Sequence, residues 1–223
     1  MYDERGQRAG ERGELMARGW RGDPPRSDDE ARERIIDAAL RCIDRYGPTK
    51  TGLSDVAVEL GVTRQTVYRL YAGTDDLLLA VARASADTFL DRMAAHLAPY
   101  TDPAEAVIEA IAFSLERLPD EPFARLLLST GRSDMLIKGV TSADAIAFGR
   151  SMYSRMNVDW VGHGFGDTDL DELAEFSLRI LQSFVLDPPH PKRTRAQLRS
   201  FLRNWVAPAI ERIATAHAGF ELG

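Results

Sequence analysis

Cysteine is almost absent. Cys42 stands alone in 223 residues, so no disulfide can form within the chain, and a reducing, cytoplasmic setting is expected. Long apolar runs are missing as well: Leu77-Leu78-Leu79-Ala80-Val81-Ala82 is cut by Arg83, far short of a bilayer span. The first ten residues, MYDERGQRAG, carry acids and no apolar h-region, so no secretory signal is expected. Nor is there an excess of positive charge. Lys+Arg number 28 against 34 Asp+Glu, a formal net charge of −6, so the molecule as a whole repels nucleic acid and any such site must be local. Histidines are few and scattered: His96, His163, His190 and His217. No Ser-His-Asp or paired-carboxylate arrangement can be assembled from these residues, so no catalytic residue is nominated and the chain is not expected to be an enzyme. His163 with Asp167 and Asp169 fits no strong ligand spacing. Gly162–Asp167 lacks the preceding strand and following Lys of a phosphate loop. No metal or cofactor is expected.

What remains is ordinary globular material, with 44% hydrophobic and 28% charged residues. Residues 1–26 stand apart, with Arg-Gly pairs, Pro24-Pro25 and almost no aliphatic periodicity. Such a segment buries too little to offset its ordering entropy, and it reads as a disordered tail, with Met16 a second candidate start. From Ser27 the pattern is helical. Ser27 and Glu30 have capping-box spacing, Ile35, Ile36, Ala39, Leu40 and Ile43 recur on one face, and Gly47-Pro48 ends the helix. Short helices follow over 53–60 and 64–71, then a long one to Leu97 capped by Thr74. Further helices are expected over 103–118, 121–130, 133–139, 142–157, 168–186 and 194–216, the last kinked at Pro208. No alternating segment calls for a strand, and the expected fold is all-α.

The chemistry concentrates between Leu53 and Tyr71. Two short helices joined by a tight Gly-containing turn, here Gly61-Val62-Thr63, form a helix-turn-helix pattern. Val67 and Tyr71 point inward at i, i+4, leaving Arg64, Gln65, Thr66, Tyr68 and Arg69 outward. Arg forks onto guanine and Gln onto adenine, and both lie where base-edge contacts fall in this motif. No acid occurs between Glu59 and Asp75, while Lys50, Arg64 and Arg69 surround the face. The plainer alternative is a pair of surface helices with incidental polar residues.

The run Ile35-Ile36-Asp37-Ala38-Ala39-Leu40, Gly47, Thr51-Gly52-Leu53-Ser54-Asp55-Val56-Ala57, Gly61-Val62-Thr63, Thr66-Val67-Tyr68-Arg69-Leu70-Tyr71 and Asp76-Leu77-Leu78 resembles the tetracycline-repressor (TetR) family over residues 30–80. The resemblance implies a three-helix DNA-binding domain, here 27–73. It also implies a larger helical domain, 74–223, that binds a small effector and dimerises through its last two long helices. It implies further that Ser54, Thr63, Arg64, Gln65, Thr66, Tyr68 and Arg69 face DNA, with Thr74 and Lys50 nearby. Thr74 stands where the family commonly has Lys, Leu70 where it often has His or an equivalent polar residue, and Gly52 where it often has Thr, so weaker phosphate anchoring is expected at these positions. The Arg-rich tail is either a minor-groove arm or an inert solvated segment.

For an effector cavity the large or aromatic residues of the middle helices are nominated: Phe89, Met93, Phe113, Phe123, Leu127, Met135, Phe148, Met152, Trp160 and Phe176. Together they favour a largely apolar effector. Helix 168–186 is apolar on two overlapping stripes and the last helix on one, so a second subunit is expected to cover them. The nominated interface residues are Leu178, Leu181, Val185, Leu198, Phe201, Leu202 and Trp205. The expected partners are thus operator DNA, a small effector and a second copy of the chain, in a repressor reading a pseudo-palindromic operator and without a membrane. A helical enzyme or ligand carrier retaining a vestigial DNA-binding fold is the alternative.

Overall fold

The computed structural model describes residues 20–121, 124 and 142–218, with side chains through residue 214. Among these there are nine α-helices and no strand. The helices expected over 121–130 and 133–139 lie almost wholly outside the described residues. No helix of the described residues is long and apolar enough to cross a membrane. The chain divides into two compact units, Met1–Ser85 and Ala86–Gly223. The division falls inside the long helix and not at its start.

In the first unit, α1 (Asp28–Tyr46) begins at Ser27, whose Oγ accepts the Glu30 N–H at 3.1 Å. Only half of the capping box forms, because the Glu30 carboxylate accepts from the Arg26 N–H at 2.7 Å instead. Arg26 N–H and the Arg34 guanidinium together hold the Glu30 carboxyl below its ordinary value. At the other end Gly47, at φ 83°, donates to the Ile43 carbonyl and stops the helix. α2 (Leu53–Leu60) and α3 (Arg64–Leu70) follow, and the three helices pack on one another. Ala31, Ile35, Ala38, Ala39, Cys42 and Ile43 of α1 are buried, as are Leu53, Val56 and Ala57 of α2 and Val67 and Leu70 of α3. Burial pushes the Cys42 thiol up, as for a small core residue.

α4 (Thr74–Leu97) starts one residue earlier than its expected cap implies. The Gly73 carbonyl accepts the first helical bond, from Leu77 N–H at 3.1 Å, so Thr74 is the first helical residue and not the cap. The tail expected over 1–26 also needs correction at its end. Trp20–Gly22 form a 3-10 turn, Trp20 is buried, and Arg34 donates to the Asp23 carbonyl and carboxylate at 2.6 and 3.0 Å. One large aromatic and two arginine contacts suffice to fix a segment whose aliphatic content predicted no structure.

The second unit contains the C-terminal half of α4, α5 (Pro103–Arg117), α6 (Ala143–Ser154), α7 (Asp167–Leu186), α8 (Arg195–Trp205) and α9 (Ala207–Ala218). α5 is its axis: it packs against α7, α8 and α9, and nearly all of Pro103–Ala112 is buried. α7, whose two apolar stripes are expected to meet the chain's own core and a second subunit, buries only Leu173, Ala174 and Ser177 within the single chain. Alanines at 104, 106, 110 and 112 let neighbours close on α5 from every side. α6 packs on α7. There Tyr153 Oη lies 2.7 Å from Ser177 Oγ and donates to the Leu173 carbonyl at 3.2 Å. Gly149 of α6 lies so near α7 that a Cβ would sit 3.1 Å from Ala174 Cβ and 3.3 Å from Leu178 Cδ1. The single expected last helix is broken at Val206, two residues before Pro208. The missing Pro N–H and the ring's clash with the Asn204 carbonyl end α8, and Ala209 N–H bonds Val206 O at 3.1 Å to start α9.

Candidate nucleic-acid interface

The turn between α2 and α3 is built from backbone chemistry. Gly61 takes φ 67°, a left-handed conformation that costs glycine nothing, and its N–H reaches the Ala57 and Val58 carbonyls. Val62 N–H adds a bond to Ala57 O at 2.9 Å. Thr63 then caps α3, its Oγ1 accepting from Thr66 N–H at 3.2 Å and lying 2.8 Å from Thr66 Oγ1. On the inner side Val67, Leu70 and Tyr71 are buried. Arg32 lies 5.5 Å over the Tyr71 ring and donates to the Leu70 carbonyl at 3.0 Å. Burial raises the Tyr71 phenol above its ordinary value.

On the outer side Thr63, Arg64, Gln65, Tyr68 and Arg69 are exposed and Thr66 half-buried, one polar face of a seven-residue helix. The Arg64 guanidinium lies 5.7 Å over the Tyr68 ring, which directs it along the face. Ser54, in the first turn of α2, is half-buried, and Lys50, in the 3-10 turn Pro48–Lys50, is exposed. Thr74 is half-buried, with its Oγ1 3.7 Å from where a Gly52 Cβ would stand. Two features of the surroundings had no local signal. Arg69 is paired with Asp28 at 2.9 Å, so part of its charge is already neutralised. Arg21 donates from Nη2 to the Glu59 carbonyl at 2.8 Å, beside the turn.

Among the described residues, those nominated for an effector fall in more than one place. Phe89 and Phe113 do meet, with centroids 5.6 Å apart, and Met93 is buried beside Ser114. Met152 is buried near Tyr153, and Trp160 belongs to a separate cluster with Tyr153 and Phe165, both centroids at 5.4 Å. Phe148 and Phe176 are exposed at 37% and 40%, and α6–α7 packing turns them outward. Phe123, Leu127 and Met135 lie outside the described residues. A cleft of about 410 Å³ in the second unit is lined by His96, Phe113, Glu116, Arg117, Arg195 and Arg199. His96 stacks on Phe113 at 4.9 Å and Arg117 lies 5.9 Å over the same ring. Arg199 is held between Glu109, at 2.6 and 2.9 Å, and Glu116 at 2.6 Å. This cleft is charged, unlike the apolar cavity expected.

Of the nominated interface residues, Leu198 and Leu202 are buried within the chain, because α8 turns that face to α5. Leu178, Leu181, Val185 and Phe201 are half-buried and Trp205 is 72% exposed. Phe184 and Phe201 meet at 6.0 Å, under the Arg193 guanidinium. Among the described residues no three His, Cys, Asp or Glu side chains converge to hold a metal ion.

Residues 35–81 match the family model for bacterial regulatory proteins of the tetR family. An HTH-type transcriptional regulator of Mycobacterium tuberculosis, itself uncharacterised, is 23% identical over 186 residues, 83% of this chain and 88% of that one. AcrR, an HTH-type transcriptional regulator of Shigella flexneri, is 29% identical over 100 residues, 44% of this chain and 46% of that one. Among solved structures, the TetR family repressor AlkX from a Dietzia strain, implicated in biodegradation of n-alkanes, matches with a TM-score of 0.56. Its identity is 21%, over 82% of this chain and 97% of that one. A protein of Mesorhizobium loti assigned to the same family matches with a TM-score of 0.52 at 17% identity, over 86% and 98%. At these identities the structural likeness is one of fold.

Proposed function

We propose that this chain, a transcriptional regulator of the TetR family, is a homodimeric repressor that reads a pseudo-palindromic operator and releases it on binding a small effector. One observation carries the DNA-reading part: Arg64, Gln65 and Tyr68 stand exposed on one side of α3 while Val67 and Leu70 fix the other side in the core. Arg64 and Gln65 are the base readers, Thr63, Thr66 and Ser54 supply hydroxyls to phosphate or a thymine methyl, and Lys50 and Arg69 add charge. In a dimer the two α3 helices meet successive major grooves, about 34–36 Å apart.

The second copy covers the apolar side chains that α7 and α8 leave wholly or partly in solvent, Trp205 above all, with Leu178, Leu181, Val185 and Phe201. The effector is largely apolar with an acidic group. Phe113, with Phe89 buried behind it, favours its apolar body, and Arg117 and Arg195, which line the same cleft as Phe113, favour the acid, Arg195 exchanging its Glu116 partner at 3.5 Å for it. Binding shifts the dimer toward a state with a different helix spacing, and it does so only through its higher affinity for that state.

The test begins with a duplex enriched by the wild-type chain from a random double-stranded library. Arg64→Ala and Gln65→Ala are each expected to weaken binding to it about 5- to 150-fold, the weight of one bidentate base contact. Affinities equal to wild type in both variants refute the base-reading assignment.

A further inference from the structure

The strap that precedes α1 reaches the turn on which base reading depends. Its near end is fastened to α1: Arg34 holds the Asp23 carbonyl and carboxylate at 2.6 and 3.0 Å, and Glu30 accepts from Arg26 N–H at 2.7 Å. Its far end is anchored by Trp20, 7% exposed, which with Leu60 and Arg41 borders a small cleft of about 210 Å³. Between these anchors Arg21 crosses the end of α2.

Helix ends leave carbonyls without partners. At the end of α2 the Ala57 and Val58 carbonyls are taken by the N–H groups of Gly61 and Val62, within the turn itself. The next carbonyl, that of Glu59, is taken by Arg21 Nη2 at 2.8 Å. A guanidinium there also answers the partial negative charge of the helix C-terminus. The stem of the same side chain runs against the turn, with Arg21 Cγ 3.4 Å from where a Gly61 Cβ would stand. Arg41 and Arg45 of α1 hold the Glu59 carboxylate at 2.9 and 3.2 Å. Glu59 is therefore gripped by its backbone from the strap and by its side chain from α1. Trp20 and Arg21 adopt φ 60° and 55°, a left-handed conformation that L side chains rarely take and that persists only where surrounding contacts impose it.

We propose that Trp20–Arg26 is a positioning strap for α3, with Arg21 the residue that completes the cap of α2 and fixes the turn leading into the DNA-reading helix. This rests on the DNA-reading assignment of α3 made above. Arg21 acts through Glu59 and Gly61 and is not itself a DNA ligand. Base contacts tolerate little misplacement, and α3 has only seven residues, so the turn that leads into it helps set where its N-terminal side chains stand. Loosening the turn therefore lowers affinity for the cognate site more than for arbitrary DNA, whose binding rests on charge.

The experiment uses the full chain, as wild type, Arg21→Ala, Arg21→Lys and Trp20→Ala. The probes are the library-enriched duplex and a scrambled duplex of the same composition. Binding is measured by fluorescence anisotropy across a salt series, and hydrogen exchange is followed at the Gly61 and Val62 amides. Arg21→Ala is expected to bind the enriched duplex about tenfold more weakly, the weight of one charge-assisted hydrogen bond. Its salt slope and its affinity for the scrambled duplex should stay unchanged, and the two amides should exchange faster. Arg21→Lys, which keeps a donor and the charge, is expected to recover most of the loss, and Trp20→Ala to repeat it. Unchanged affinity in Arg21→Ala overturns the proposal. So does a loss accompanied by a salt slope lowered by about 0.9 per subunit, which marks a direct phosphate contact. If the wild-type chain enriches no duplex at all, it is the DNA-reading assignment that fails. The strap is then judged by the exchange of the Gly61 and Val62 amides alone, where rates equal to wild type in Arg21→Ala reject it.

Discussion

Replacing Arg199 by Met tests what holds α8 to α5. The guanidinium makes three short bonds, two to Glu109 and one to Glu116. The side chains are 4% exposed for Glu109, 19% for Glu116 and 20% for Arg199. Methionine keeps the stem and its packing while removing the charge, so the change isolates the electrostatic part. Glu109 is then a buried carboxylate without its main counter-charge. Breaking such a pair costs about 3–5 kcal/mol. Two features favour the low end: Arg199 is partly in solvent, and His96 Nε2 remains 3.7 Å from Glu109. A loss of about 3 kcal/mol follows. For a chain of this size it lowers Tm by about 6–12 °C, measured at fixed protein concentration. Adding Glu109→Gln removes the orphaned charge, and the double variant is expected to regain about half of the loss. Circular dichroism during thermal and urea unfolding reads both values. An Arg199→Met chain within 1 kcal/mol of wild type, or a double variant no better than the single one, refutes the reasoning.

Trp205→Glu is expected to shift the chain toward monomer in sedimentation equilibrium with little change in helix content, since Trp205 is 72% exposed in the single chain. An unchanged dimer would place the contact elsewhere. The carboxyls of Glu105, Glu59 and Glu30 lie below their ordinary 4.5, held there chiefly by Arg203, by Arg41 with Arg45, and by Arg26 N–H with Arg34. Because these folded values are depressed, their contribution to stability is present above 4.5 and is lost as pH falls through them. The urea midpoint should thus hold from about pH 7 to 5 and decline below it, and a flat profile down to about pH 3 contradicts this. A medium-chain carboxylic acid should release the enriched duplex at lower concentration than the alcohol of equal length. Equal potency would remove Arg117 and Arg195 from the effector site.

The first unit was the more legible because its signals are local. Ser27, Gly47, Gly61 and Thr63 each act within four residues, and each does what its chemistry predicts. The polar face of α3 was equally readable, since two inward residues on a seven-residue helix leave the rest no choice. What escaped depends on contacts far along the chain. Arg21 meets Glu59 and Arg69 meets Asp28 only after α1 has brought them together, and nothing near Trp20 announced a core residue. In the second unit α5 and α7 both carry enough apolar residues to be central. The alanines of α5 decided between them by permitting closer approach, which hydrophobic periodicity does not register. Leu198 and Leu202 lie on the same stripe as Trp205, yet the first two are buried and Trp205, at the last position of α8, is left in solvent, a difference that the stripe does not register.

Gly149 places a lever behind the apolar surface. The space for its missing side chain is filled by Ala174 and by Leu178, itself half-buried at the edge of the face proposed to meet a second copy. One added methyl would require Ala174 and Leu178 to give by a few tenths of an ångström, with no change in the identity of any solvent-facing residue. The outline of the face proposed to meet a second copy can therefore be altered from within, by a substitution that a survey of the surface would overlook.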